Sequence, residues 1–322
     1  MDKELEEKLD EHIREKKKEI YITDEEICEL ILRYIRKENT EYAILIDGKW
    51  GVGKTFFIKN SLKVKLQKEI KKTCRYKGII YMSLYGIKDI TQLENKIIYS
   101  IIENGILSNN ERKTSKMLIN GAKTYINSLE KKDSIMDLIK MFQEISKYII
   151  IFDDLERCMI SITELLGYIN ELIEHKNVKT ILIANEDKKA EVESSYQNKE
   201  YYEIKEKLIG EVIYYNPNIE IILDYICDEE KEQLISRIIK DNKYKIIEIM
   251  QKFNYKNIRT LKICISKFKT IIEKIEEVKS TYKNYDEDVY NKLLDNILIY
   301  LLHVTMMYKE NIKLYDWSTL LG

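Results

Sequence analysis

Residues Gly48 to Thr55, GKWGVGKT, hold three of the ten glycines in a 322-residue chain and end in a lysine–threonine pair. The pattern Gly48-x4-Gly53-Lys54-Thr55 follows an apolar run, YAILID (42–47), and precedes an amphipathic stretch, FFIKNSLKVKL. Chemically this is a phosphate cradle. Glycines let the backbone N–H groups wrap the α- and β-phosphates, and the helix N-terminus behind them adds a favourable dipole. Lys54 is then within reach of the β- and γ-phosphates, and the Thr55 hydroxyl is a ligand for Mg2+. The nucleotide contacts are expected from Gly48, Lys49, Trp50, Gly51, Val52, Gly53, Lys54 and Thr55. Trp50 stacks on the base or a neighbour, or seals the loop against the core; the second is the simpler expectation.

A magnesium ion held by Thr55 needs a second anchor, and KYIIIFDDLERC (147–158) supplies one at the end of an apolar run. Asp153 is the candidate metal carboxylate, acting through water. Asp154 is the candidate general base, and Glu156, with its longer side chain, is its rival. Asn185 ends a further apolar run, KTILIA, where its amide touches the γ-phosphate or orients the attacking water; the alternative is a plain turn out of the strand. Arg157 either pairs locally with Glu156 or Asp154 or completes a neighbouring subunit's site as an arginine finger does, with Lys205 and Lys207 as rival cations.

Positioning these groups requires a sheet. Apolar runs at 42–47, 78–84, 148–152, 180–184 and, more weakly, 211–215 lack polar alternation, as strands buried on both faces of a parallel sheet do. Helical patterns separate them, so the fold class is α/β, a central parallel sheet flanked by helices. A charged helix is expected over 1–19, and TDEE (23–26) starts a second with a capping box. From Asp224 the strand signals end and i, i+3, i+4 patterns take over. The expected division is a phosphate-loop domain over 1–223 and a helical lid over 224–322.

Lys+Arg of 54 against Asp+Glu of 55 leaves a net charge of −1, so nothing global points to nucleic acid. The lysine runs at 14–19 and 63–72 are interrupted by glutamate and read as solvated helix faces. Five scattered cysteines form no CxxC pair, and the three histidines share no metal spacing, which favours a reducing cytoplasm and no zinc site. No signal peptide opens the chain, and no apolar run approaches the roughly 20 residues of a membrane span. The 24 tyrosines fall mostly at core spacing and read as packing.

The strand GIIYMSL between the loop strand and the acidic strand marks the branch of NTPases that includes the AAA+ and STAND classes. Within it, GKWGVGKT with Trp50 inside the loop and FDDLERC after an apolar strand resemble the KAP family of P-loop NTPases, over roughly 25–270. Glu156 stands where that family usually has aspartate. Many members carry transmembrane helices between the two motifs, whereas residues 99–147 here are too polar to span a bilayer, which implies a soluble member. In NYKNIRTLK, Arg259 follows an expected N-cap at Asn257 and resembles the sensor-2 arginine of AAA+ lids, which links nucleotide state to lid position. The first reading is an enzyme, a Mg2+-dependent ATPase that couples ATP binding and hydrolysis to lid position and to self-assembly into a homo-oligomer, with an effector expected on a separate protein; the resemblance implies prokaryotic roles such as anti-phage defence and, in some members, scaffolding at membranes. A slow-turnover, STAND-like switch is the competing expectation; a small-molecule kinase lacks an acceptor site.

Overall fold

The computed structural model describes residues 22–108, 145–186, 195–253, 255–279 and 286–309. The charged stretch 1–19 and most of the polar segment between the motifs lie outside them. Helix α1 (Asp24–Arg36) starts at the expected capping box: Thr23 Oγ1 accepts from Glu26 N at 3.2 Å, and Thr23 N donates to Glu26 Oε2 at 2.8 Å. β1 (Ala43–Asp47) leads into the glycine loop and then α2 (Lys54–Phe57), a π turn (Ile58–Leu62) and α3 (Lys63–Thr73). β2 (Gly78–Ser83), α4 (Ile90–Ser108), β3 (Tyr148–Asp153), α5 (Ile162–Glu174), β4 (Lys179–Ala184), α6 (Ser195–Leu208) and β5 (Ile209–Tyr214) complete the α/β part.

The five strands are parallel in the order β2-β3-β4-β1-β5. β4 thus lies between the loop strand and the acidic strand, and Asp47 pairs with Ala184 while Ser83 pairs with Asp153, so the strand ends carrying polar residues share one edge. β1, β3 and β4 are buried throughout, which explains their uninterrupted apolar runs. β2 and β5 are edges and are partly exposed, and the run over β5 is correspondingly weak.

Two cores sandwich the sheet. On one face, Leu93, Ile97, Leu165, Ile169 and Ile173 of α4 and α5 pack on Ile150 and Phe152. On the other, Ile27, Ile31 and Ile35 of α1 and Phe57, Ile58 and Leu62 pack on Ile44, Ile46 and Ile151. A third core belongs to the helical part, α7 (Ile219–Glu229), α8 (Gln233–Asp241), α9 (Lys243–Lys252), α10 (Ile258–Lys279) and α11 (Glu287–Lys309). It reaches back to Ile219, ahead of Asp224, because Asn218 caps α7 by accepting from Glu220 N at 2.9 Å. Among the described residues no helix is long and apolar enough to cross a membrane.

At the opposite edge of the sheet, cations cover carbonyls at and just beyond the C-terminus of α1. Arg75 Nη1 donates to Arg36 O at 3.1 Å, and Lys179 Nζ donates to Glu38 O at 3.4 Å and to the Thr40 hydroxyl, above the Tyr34 ring. Lys179 is 3% exposed, and burial, with Arg75 and Lys37 nearby, pushes its amine down to about 8.

Candidate nucleotide site

Gly51 (φ +81°) and Gly53 (φ +99°) take left-handed backbone that a side chain would oppose, and Gly53 opens α2, with Phe57 N donating to Gly53 O at 2.9 Å. Lys54 folds back on the loop, its ammonium donating to Gly48 O and, at 3.2 Å, to Lys49 O. Burial pushes Lys54 below its ordinary value, while Glu156 first, then Asp47, Asp153 and Asp154, pull it up. A phosphate would offset that desolvation and compete with the two carbonyls for the same N–H groups.

The acidic turn faces the loop. Asp153 is buried, and its Oδ2 accepts from Thr55 Oγ1 at 3.1 Å and from the Tyr81 hydroxyl at 2.5 Å; Oδ1 accepts from Asp154 N at 2.8 Å. Burial raises the Asp153 carboxyl, with the like charge of Asp154 adding to it. A hydroxyl and a carboxylate in direct contact are hard oxygen donors suited to Mg2+, which keeps several waters and takes further ligands from phosphates. A cation there would also relieve the burial of Asp153. Asp154 adopts left-handed backbone (φ 60°, ψ 42°), unusual for a non-glycine residue; its Oδ2 accepts from Ser83 Oγ at 2.6 Å and its Oδ1 lies 3.8 Å from Arg157 Nη1.

Glu156 bridges the site. Its Oε1 accepts from Trp50 Nε1 at 2.5 Å and its Oε2 from Asn185 N at 3.1 Å. Trp50 is 44% exposed, so it does not seal the loop against the core as the sequence suggested; the neighbouring Val52 is the loop's buried apolar residue. Arg157 stacks over the Trp50 ring at 5.3 Å and over the Tyr85 ring at 4.7 Å. Asn185 is buried at the tip of β4, between loop and acidic turn. Lys205 pairs with Glu186 at 2.6 Å and Lys207 with Glu174 at 3.1 Å.

The helical part touches the loop directly. Ile258 N, the first N–H of α10, donates to Gly51 O at 2.7 Å, and Asn257 caps α10 by accepting from Thr260 N at 3.2 Å. Phe56 meets Tyr225 edge-on at 4.7 Å. Arg259 is exposed, so the contact with the loop runs through Asn257 and Ile258 instead. Sequence reasoning passed over Tyr81 and Ser83. Their spacing, two apart at the end of a strand, puts both on one face, and the pairing of that strand with the acidic one brings them to the site.

The model of the KAP family P-loop domain matches residues 24–275. The chain belongs to the KAP family of P-loop NTPases. No curated protein matches its sequence. Among solved structures, the crystal structure of Cdc6p from Pyrobaculum aerophilum is similar at a TM-score of 0.38 and 14% identity, over 73% of this chain and 62% of that one. The KAP match spans the sheet, the loop, the acidic turn and most of α10, and ends before α11.

Proposed function

We propose that this KAP protein is a magnesium-dependent ATPase whose nucleotide state is coupled to the position of its helical lid and to self-assembly. The observation that carries the reading is the Thr55–Asp153 contact at 3.1 Å beside Lys54. It brings a phosphate-binding loop, a hydroxyl ligand and a carboxylate ligand to one point. Mg2+ would be held by the Thr55 hydroxyl and, through water, by Asp153, and would supply neutralisation of the phosphate charge. Lys54 exchanges Gly48 O and Lys49 O for phosphate oxygens, and the loop N–H groups fix the rest of the chain of phosphates. Asp154 exchanges its bond to Ser83 for one to the attacking water and accepts its proton, with Glu156 as the rival base. Asn185 orients that water.

A second reading, a slow-turnover nucleotide switch, is favoured by the direct bond from α10 to the loop apex, which ties the site to the helical part that such a switch would move. A role in anti-phage defence and a separate effector protein are proposals that follow from family membership alone. Phosphate release under steady state, measured with the nucleotide content of the purified protein, separates the readings. Turnover abolished in Lys54→Ala supports the ATPase; tightly held nucleotide without turnover supports the switch; neither binding nor turnover removes both.

A further inference from the structure

Trp50 is a large aromatic side chain in a loop otherwise built of small or flexible residues, and with 44% of its surface exposed burial does not explain it. Its polar atom does. The indole N–H donates to one oxygen of Glu156 at 2.5 Å, while Asn185 N donates to the other at 3.1 Å. The carboxylate therefore spans the apex of the phosphate loop and the tip of β4, and of the carboxylates around Lys54 it exerts the strongest pull on the ammonium. The guanidinium of Arg157, the next residue along, lies over the same indole ring and over Tyr85, which clamps the ring and so aims its N–H. An indole presents one donor and no acceptor, so it holds a carboxylate without competing for it.

We propose that Trp50 is a positioning residue for ATP hydrolysis: its indole N–H holds the Glu156 carboxylate across the mouth of the site, where its other oxygen is bound to the Asn185 backbone N–H. The inference rests on the ATPase reading. Glu156 has three rotatable bonds, and without the indole nothing among the contacts described ties its Oε1 to the loop side; with it, the loop apex and the β4 tip are joined through one charge-assisted bridge. The bond uses neither the Thr55 hydroxyl nor the Asp153 carboxylate, so its loss is expected to act on turnover more than on nucleotide and metal binding.

Trp50→Phe keeps a ring for Arg157 and removes only the N–H. Losing a hydrogen bond to a charged group is expected to lower kcat about tenfold. The KM for ATP stays within about threefold, because the effect falls after binding. Glu156→Ala, which removes the acceptor, is expected to lower kcat at least as much, and adding Trp50→Phe to it costs less than about twofold, as for two residues acting through one contact. A full second loss in the double variant overturns the proposal, as does a raised KM with unchanged kcat. A readout without turnover is the indole N–H resonance of 15N-tryptophan-labelled, nucleotide-free protein, assigned by its disappearance in Trp50→Phe; the other tryptophan, Trp317, lies outside the described residues. The Trp50 signal is expected to move upfield in Glu156→Ala; an unmoved signal overturns the proposal. A wild type that binds ATP without hydrolysing it removes the ATPase reading and this role with it, and the resonance then reports separately whether the bond exists.

Discussion

Asp154 and Glu156, two residues apart, are held by different partners, and that difference sets their expected behaviour. Asp154 is bonded to Ser83 on β2 and sits at the end of the acidic strand, next to Asp153, the proposed metal carboxylate. Asp154→Asn is expected to keep ATP binding and to lose hydrolysis by about two to four orders of magnitude, the range of a general base. Glu156→Gln is expected to be milder, at about the tenfold of a lost charge-assisted contact. Phosphate release by the two variants at saturating ATP checks the order, and a reversed order transfers the base to Glu156. The loop and the acidic residues were legible in the sequence because each motif lies within a dozen consecutive residues. Tyr81 and Ser83 were not, because only the parallel register of β2 against β3 carries them to Asp153 and Asp154. Trp50 was misjudged for a related reason: its partner is a glutamate on a different strand-end turn, and a tryptophan read alone suggests burial.

At the scale of elements, the loop and α10 meet so closely that a β-carbon on Gly51 would lie 2.1 Å from Asn257 Oδ1. Gly51→Ala therefore meets both a left-handed backbone and a neighbouring side chain, with a cost of about 1–2 kcal/mol from the backbone alone. It is expected to loosen α10 from the loop, seen as faster amide exchange at Ile258; an unchanged rate would show that the contact is unimportant. Arg259 seemed the natural link from sequence because of its charge, but each step along a helix turns the side chain by about 100°, so the residues beside the cap reach the loop and the next one turns to solvent. The strands were easier: β1, β3 and β4 are buried on both faces, so apolar run and strand coincide, whereas the edge strand β5 left only a faint trace. The far edge of the sheet gives a pH test. The folded value of Lys179, about 8, lies below the ordinary 10.5, so the folded state binds fewer protons between those values. The unfavourable burial of the charged amine is complete below pH 8 and fades as pH rises towards 10.5. Relative to Lys179→Met, wild-type unfolding free energy should rise across that window with a slope of at most about 1.4 kcal/mol per pH unit. Parallel curves for the two proteins would refute the assignment.

For the molecule as a whole, the sheet presents its polar strand ends to one edge, and the helical part touches the loop at that edge, so the proposed binding, chemistry and lid position would share one small region. Self-assembly adds a further test. Arg157 is engaged locally, by Asp154 and by the rings of Trp50 and Tyr85, so Lys54→Ala and Arg157→Ala chains mixed together are expected to be no more active than the sum of the two. Restored turnover would assign Arg157 to a neighbour's site instead, and light scattering with and without ATP would show whether assembly accompanies it. All of this stands on one event, nucleotide capture by Lys54 and Thr55. Titration calorimetry of ATP with Mg2+ into wild type and Lys54→Ala tests it most directly. The expected result is saturable binding by wild type and at least about tenfold weaker binding by the variant, since a charge-assisted contact to phosphate is lost. Equal affinities, or no binding by wild type freed of bound nucleotide, would contradict the account.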